Sequence, residues 1–267
     1  MRAGQRGSFG CVIVPEDYAC IEAAGYDYVE LSCKAVCAMT SGAFSALRRM
    51  LSSGSLPCLG FNAYCPPHVR IAGPGFSLRS AKAWAMRAAQ RAEALGVRVV
   101  GVGSPLSRVL PPGYDVRQAW EQATEFFSVT GEAFFAAGIL VCVEALDTCY
   151  CSFINRLEEA AKLVRLVRLP NVRLLADFYN MERSGEADIS LAPYAAHIAH
   201  AHISDDAGDP HQRWFLREDK RERHIVRLRG LFAAGYRGPV TVETDLRADP
   251  AQAAATLMIL RDSAYNI

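Results

Sequence analysis

Residues 174 to 181 read Leu-Leu-Ala-Asp-Phe-Tyr-Asn-Met, an apolar run that ends in a carboxylate, Asp177, and then passes into aromatic and polar residues. A buried strand that leaves the core and delivers an acid into a pocket has this form. Three other segments end in the same way: Val-Cys-Val-Glu at Glu144, Ile-Ala-His-Ala-His at His202, and Pro-Val-Thr-Val-Glu at Glu243. Buried parallel strands read as short apolar runs. Four such runs, each closing on a metal-compatible side chain, predict one shared pocket at the strands' carboxyl ends.

Outward from these segments, apolar alternation and turn residues predict strands at 8–14, 27–32, 56–63, 97–103, 139–144, 172–177, 198–203 and 239–244. Helices are predicted at 15–24, 41–52, 78–95, 115–137, 152–169, 189–196, 224–234 and 250–262, several stopped by a glycine such as Gly25, Gly96 or Gly138. Residues 181–188 read as a loop, and 204–222 as a long polar insertion of the lid or partner-facing kind. Eight strands alternating with helices in 267 residues predict a (β/α)8 TIM barrel forming a single domain over 1–267. In that architecture the strand ends meet at one mouth, however far apart they lie in the chain.

Composition narrows the setting. With 51% hydrophobic residues the chain can bury a large core, and a formal net charge of +1 supplies no electrostatic motive for nucleic acid or an anionic membrane. No run reaches the ~18 apolar residues of a membrane span, and the N-terminal Met-Arg-Ala-Gly-Gln-Arg-Gly-Ser lacks the apolar core of a signal peptide. Nine cysteines without metal-finger spacing suit a reducing cytosol, so a soluble cytoplasmic protein is expected. Cys149 and Cys151, one residue apart, are expected to be plain thiols.

Glu144, Asp177, His202 and Glu243 end the fifth to eighth strands. Three carboxylates and one imidazole form a hard, mostly oxygen ligand set, suited to one divalent cation: manganese first, with magnesium, cobalt or zinc as alternatives. Such an ion polarises a carbonyl and lowers the cost of an enediolate when a neighbouring carbon loses its proton. A base and an acid are also required, and Glu144 and Glu243 can be that pair. Strand-end acids can instead cap helices or pair with arginines, but four at consecutive strand ends favour a common site.

On these residues the chain resembles the xylose isomerase-like TIM barrels of the sugar phosphate isomerase/epimerase group. The carriers are 26–32 (Tyr-Asp-Tyr-Val-Glu-Leu-Ser), 101–105 (Gly-Val-Gly-Ser-Pro) with Pro-Pro-Gly-Tyr-Asp at 111–115, 143–146 (Val-Glu-Ala-Leu), 152–160, 170–181, 200–205 (His-Ala-His-Ile-Ser-Asp) and 235–243. The resemblance implies that Glu144, Asp177, His202 and Glu243 are metal ligands and that the two glutamates are the acid/base pair. It also implies a small-molecule sugar or polyol ketone as substrate, and homo-oligomers are common in the family. An isomerase or epimerase is expected first. A lyase of the inosose-dehydratase or C-glycoside-cleaving type, or a non-catalytic sugar- or metal-binding subunit, is the alternative.

The chain departs from the family pattern at several points. Asn180 stands where the family usually has a substrate-contacting histidine. Asp147-Thr148-Cys149-Tyr150 replaces the Asn-Arg-x-Glu segment, and a Gly-x-Gly is missing from 217–224. The arginine expected about six residues after His202 is absent unless Arg213 supplies it. Asn180 and Arg213 are therefore expected to touch substrate. His68, in the Pro-rich loop after the third strand, is a further candidate contact. Glu30 is expected either to grip a sugar hydroxyl or to form a buried ion pair. His200, on the face of His202 but roughly 6–7 Å lower, is expected inside the barrel. Trp214 and Phe215 are expected to cover a sugar face or stack on a neighbouring subunit. No nucleophile is assigned to Cys33, Cys37 or Cys65, and Arg217 to Arg229, interleaved with acids, is expected to be a solvated face.

Overall fold

A computed structural model describes residues 7–209 and 211–264. Residues 1–6 of the N-terminal run, Pro210 of the long insertion, and 265–267 lie outside the described residues. Eight parallel strands close into a barrel. In chain order the elements are β1 (Phe9–Ile13), α1 (Tyr18–Ala24), β2 (Tyr28–Ser32), α2 (Cys33–Ala38), α3 (Ser41–Ser53), β3 (Cys58–Asn62), α4 (Leu78–Leu95), β4 (Val99–Val102), α5 (Val116–Phe135), β5 (Leu140–Glu144), α6 (Leu157–Val167), β6 (Val172–Asp177), α7 (Phe178–Arg183) and β7 (Ile198–Ile203). A short hairpin, β8 (Asp205–Asp206) with β9 (Arg213–Trp214), precedes α8 (Arg221–Ala233), β10 (Val240–Val242) and α9 (Pro250–Ala264). The last barrel strand, β10, lies between β7 and β1, so β5, β6, β7 and β10 are neighbours along one side.

Period-two alternation sorts every strand. Val100, Val102, Val141, Val143, Leu174, Ala176, Ala201, Ile203, Val240 and Val242 point outward and are buried in the belt under the helices. The intervening residues fill the interior. Val99, Cys142 and Leu175 make a small apolar cluster there. Beside it the filling is polar: Tyr28, Glu30, His200 and Thr241 are buried and bonded to one another. Gly60 pairs in register with Glu30, and a Cβ on Gly60 would lie 2.7 Å from the Glu30 carboxyl carbon. Glycine is required there to admit the carboxylate.

Two expected elements differ. The helix expected at 189–196 is a series of turns, and the helix of that unit lies earlier, at α7, immediately after the strand. Asp177 itself caps α7, accepting from the backbone N–H groups of Tyr179 and Asn180, a role for which aspartate is well suited. The second helix not expected, α2, is started by the Ser32 side chain accepting from the Ala35 N–H. Phe215 does not serve as a cover, and Trp214 stays half-buried beside it. Phe215 is fully buried in the core, and Trp214 packs edge-on against it at 5.3 Å. Most charged residues of the 217–229 run are exposed, Arg217, Glu218, Asp219, Glu222, Arg223 and Arg229 among them, while Arg227 is buried and paired with Glu182 at 2.8 Å. Cys149 is exposed, Cys151 is buried, and all nine cysteines are free thiols. Among the described residues no helix is long and apolar enough to cross a membrane.

Candidate metal centre

Glu144, Asp177 and His202 occupy or adjoin the last positions of β5, β6 and β7, and Glu243 follows β10 directly. The ladder sets their common height. Asp177 pairs with His202, Thr241 pairs with His202, and the Glu243 N–H donates to the Ile203 carbonyl. One ligand atom from each of the four lies within 4.8 Å of the others. Glu144, Glu243 and Arg213 line a cavity of about 340 Å³ whose walls also include Lys34, Ser104, Tyr150 and Asp245, while Asp177 and His202 are buried outside that lining. Gly103 at the end of β4 makes room, since a Cβ there would lie 2.4 Å from Glu144 Oε2.

Each ligand candidate is held from behind. His202 Nε2 donates to Glu30 Oε2 at 3.2 Å, and His200 Nε2 donates to Glu30 Oε1 at 2.6 Å. The Thr241 hydroxyl also donates to Glu30 and receives a bond from the Tyr28 hydroxyl. Burial works against a charge on His202, but Glu30 and Glu243 push its pKa well above the usual value, so a metal would take the place of the Nδ1 proton while Glu30 holds the one on Nε2. This buried Nδ1 has no hydrogen-bond partner. It lies 3.4 Å from Glu243 Oε2. Asn62, the last residue of β3, donates to Glu243 Oε1 at 3.0 Å. Asn180 donates to Glu144 Oε1 at 2.8 Å and to Asp177 Oδ2 at 3.1 Å. These residues fit a divalent cation: three carboxylates and an imidazole nitrogen oriented by its own carboxylate.

Arg213 enters the same cluster from β9. Its Nη1 donates to Asp177 Oδ2 at 2.7 Å and stands 2.8 Å from Glu243 Oε2, while Nη2 is 4.0 Å from Glu144 Oε1. Burial works against ionisation of Glu243, but Arg213 and His202 overcome it and bring its pKa down to about 2. Burial, with Asp177 and Glu243 as like charges, pushes Glu144 well above the usual carboxylate range. In the absence of a metal the two glutamates are therefore pushed in opposite directions.

The remaining candidates separate. Glu30 is fully buried and bonded to His200, His202 and Thr241, so a sugar contact for it is corrected to the buried ion pair. His68 is exposed and stands outside the cavity lining, because its loop turns the ring to solvent. Asn180 and Arg213 face the cluster itself, bonded to its carboxylates. Asn62 was not foreseen, although it too ends a strand. Tyr150 and Asp245 lie in loops, where no period marks them, and Lys34 lies in the first turn of the short α2.

Residues 19–262 match the family described as xylose isomerase-like TIM barrel. The chain belongs to that family. Among solved structures, the xylose isomerase-like barrel is similar to a 3-keto-D-glucoside 4-epimerase from E. coli, at 18% identity and TM-score 0.75, covering 96% of this chain and 99% of the other. It is also similar to D-psicose 3-epimerase with D-tagatose from Clostridium cellulolyticum H10, at 17% identity and TM-score 0.73, covering 95% and 98%. A third is an AP endonuclease, family 2, from Brucella melitensis, at 21% identity and TM-score 0.73, covering 95% and 98%. At these identities the likeness is one of fold. No curated protein sequence matches the chain.

Proposed function

We propose that this barrel is a divalent-metal-dependent isomerase or epimerase of a sugar or polyol ketone, working by proton transfer beside the carbonyl. The observation that carries the reading is the meeting of Glu144, Asp177, His202 and Glu243 in one cluster, two of whose members, Glu144 and Glu243, line a cavity. Family membership and the sugar epimerases among the structural relatives support it.

Glu144, Asp177, His202 and Glu243 would hold the cation, manganese first. When bound, it would supply Lewis-acid stabilisation of charge developing on the substrate carbonyl oxygen. The chain's own residues do the rest. Glu144 and Glu243 border the cavity from different strands. One, as carboxylate, can therefore take a proton from carbon while the other, as carboxylic acid, gives its own proton to the same or the neighbouring carbon, the two ending with exchanged protonation states. Asn180 keeps Glu144 aimed at the cavity, and Asn62 does the same for Glu243. Glu30 keeps His202 Nδ1 turned to the site.

Incubation with Mn2+ and a panel of ketoses, including 3-ketoglucosides, in deuterium oxide tests the reading. Solvent deuterium appearing beside the carbonyl without loss of a substituent supports it. Elimination of a β substituent would replace it with the lyase reading. A metal-loaded protein inert to the whole panel would leave a binding subunit.

A further inference from the structure

Arg213 occupies a position that a catalytic cation would need. One nitrogen, Nη1, lies 2.7 Å from Asp177 Oδ2 and 2.8 Å from Glu243 Oε2, and the guanidinium is nearly buried over the Tyr179 ring at 4.9 Å. Its remaining polar contacts are Ser204 Oγ at 3.4 Å and the distant Glu144 Oε1. A divalent ion takes carboxylate oxygens at about 2.1 Å. A dication and a guanidinium sharing the same two oxygens would repel at close quarters in a site with little water to screen them. Occupation of these oxygens by one cation therefore disfavours the other.

We propose that Arg213 is a resident counter-cation of the acid cluster, competing with the divalent ion for Asp177 and Glu243. The inference rests on the metal reading above. The fit of Arg213 is partial, which makes it displaceable. Its bond to Asp177 is aligned, but Glu243 Oε2 receives no aligned hydrogen bond despite the 2.8 Å approach. The backbone of Arg213 is tied on both sides to Asp245, whose carboxylate accepts the Arg213 N–H at 2.8 Å and whose N–H donates to the Arg213 carbonyl at 3.1 Å. Displacement is therefore a rotation of the side chain and leaves the loop in place. The apparent metal affinity is reduced by the fraction of molecules in which the guanidinium is already out.

Calorimetric titration of metal-stripped full-length protein with Mn2+ tests this in wild type, Arg213→Met and Arg213→Lys. Arg213→Met is expected to bind Mn2+ about tenfold or more tightly than wild type. Without metal it should melt lower, because three acids lose their cation, and it should gain more in melting temperature on adding Mn2+. Arg213→Lys should fall between. In wild type, phenylglyoxal labelling of Arg213, read by mass spectrometry, should rise when Mn2+ is added, and this holds even if the methionine variant fails to fold. Equal or weaker Mn2+ binding by a folded Arg213→Met, or labelling that is unchanged or reduced, would overturn the competition alone. Failure of wild type and both variants to take up Mn2+ would overturn the competition and the metal reading together.

Discussion

Replacing Glu30 with glutamine should weaken metal binding although Glu30 touches no ligand oxygen of the cluster. Three donors converge on this carboxylate: His200 Nε2 at 2.6 Å, His202 Nε2 at 3.2 Å and the Thr241 hydroxyl. A carboxamide has one acceptor oxygen and one donor nitrogen of similar shape. Wherever its NH2 falls, one histidine must either face a donor or move its proton to Nδ1. If that ring is His202, the nitrogen turned toward Asp177 and Glu243 loses its lone pair. Loss of such an outer partner costs roughly 10- to 100-fold in metal affinity, or about 1.4–2.8 kcal/mol. Removing the carboxylate altogether, Glu30→Ala, also strands a buried polar network, and folding stability should fall by roughly 3–5 kcal/mol. Mn2+ titration calorimetry reads the first effect and urea unfolding the second. A folded Glu30→Gln protein with wild-type Mn2+ affinity would refute the claim that Glu30 sets the state of His202.

Gly103→Ala should push the Glu144 carboxylate out of place, because the new Cβ would stand 2.4 Å from Oε2 and 3.2 Å from the carboxyl carbon. A misplaced catalytic group costs about 100-fold in turnover, and stability should hardly change because a side-chain end can move; equal turnover in the steady-state assay would contradict the close approach. The second concerns pH. Burial opposes ionisation of Asp205, but His224, the Arg217 N–H and Lys220 bring its pKa down to about 2. A lowered carboxyl pKa stabilises the fold above the unfolded value of about 3.9, and the contribution fades as pH falls toward 2. Asp205→Asn should therefore cost about 2–3 kcal/mol at pH 6, with the gap to wild type closing between pH 4 and 2 in urea unfolding; a gap independent of pH would count against it.

The barrel and its four strand-end candidate ligands were legible because two simple periods carry them. Alternation marks which residues face inward, and an apolar run broken by an acid marks where a strand ends. Asp177 and His202 pair in register, so their common height followed once both were read as terminal residues. Glu30 shows where that reading fell short. It shares the inward face, but it lies two residues before Ser32, the end of β2, as His200 lies two before His202. The same spacing that put His200 a layer below the mouth also puts Glu30 there, and the two indeed bond. The helix after β6 was missed because Asp177 was read only as a ligand, when one of its oxygens caps α7 and the other faces the cluster.

Arg213 was harder to place, since the insertion that carries it follows no period and its depth depends on a two-residue hairpin and on Asp245. What the structure adds to the sequence is a vertical order. Below the mouth, Glu30, His200 and Thr241 form a bonded layer that fixes His202 from beneath. Above it, Asn62, Asn180 and Arg213 fix the carboxylates from the sides. The lower layer comes from strand residues two positions before the mouth and cannot move without opening the barrel. Of the upper three, Arg213 alone comes from a loop outside the barrel wall. Arg213, a permanent positive charge among the acids, is therefore also the support most able to leave, and on the competition proposed above it is the point at which cation binding and the state of the acids are coupled.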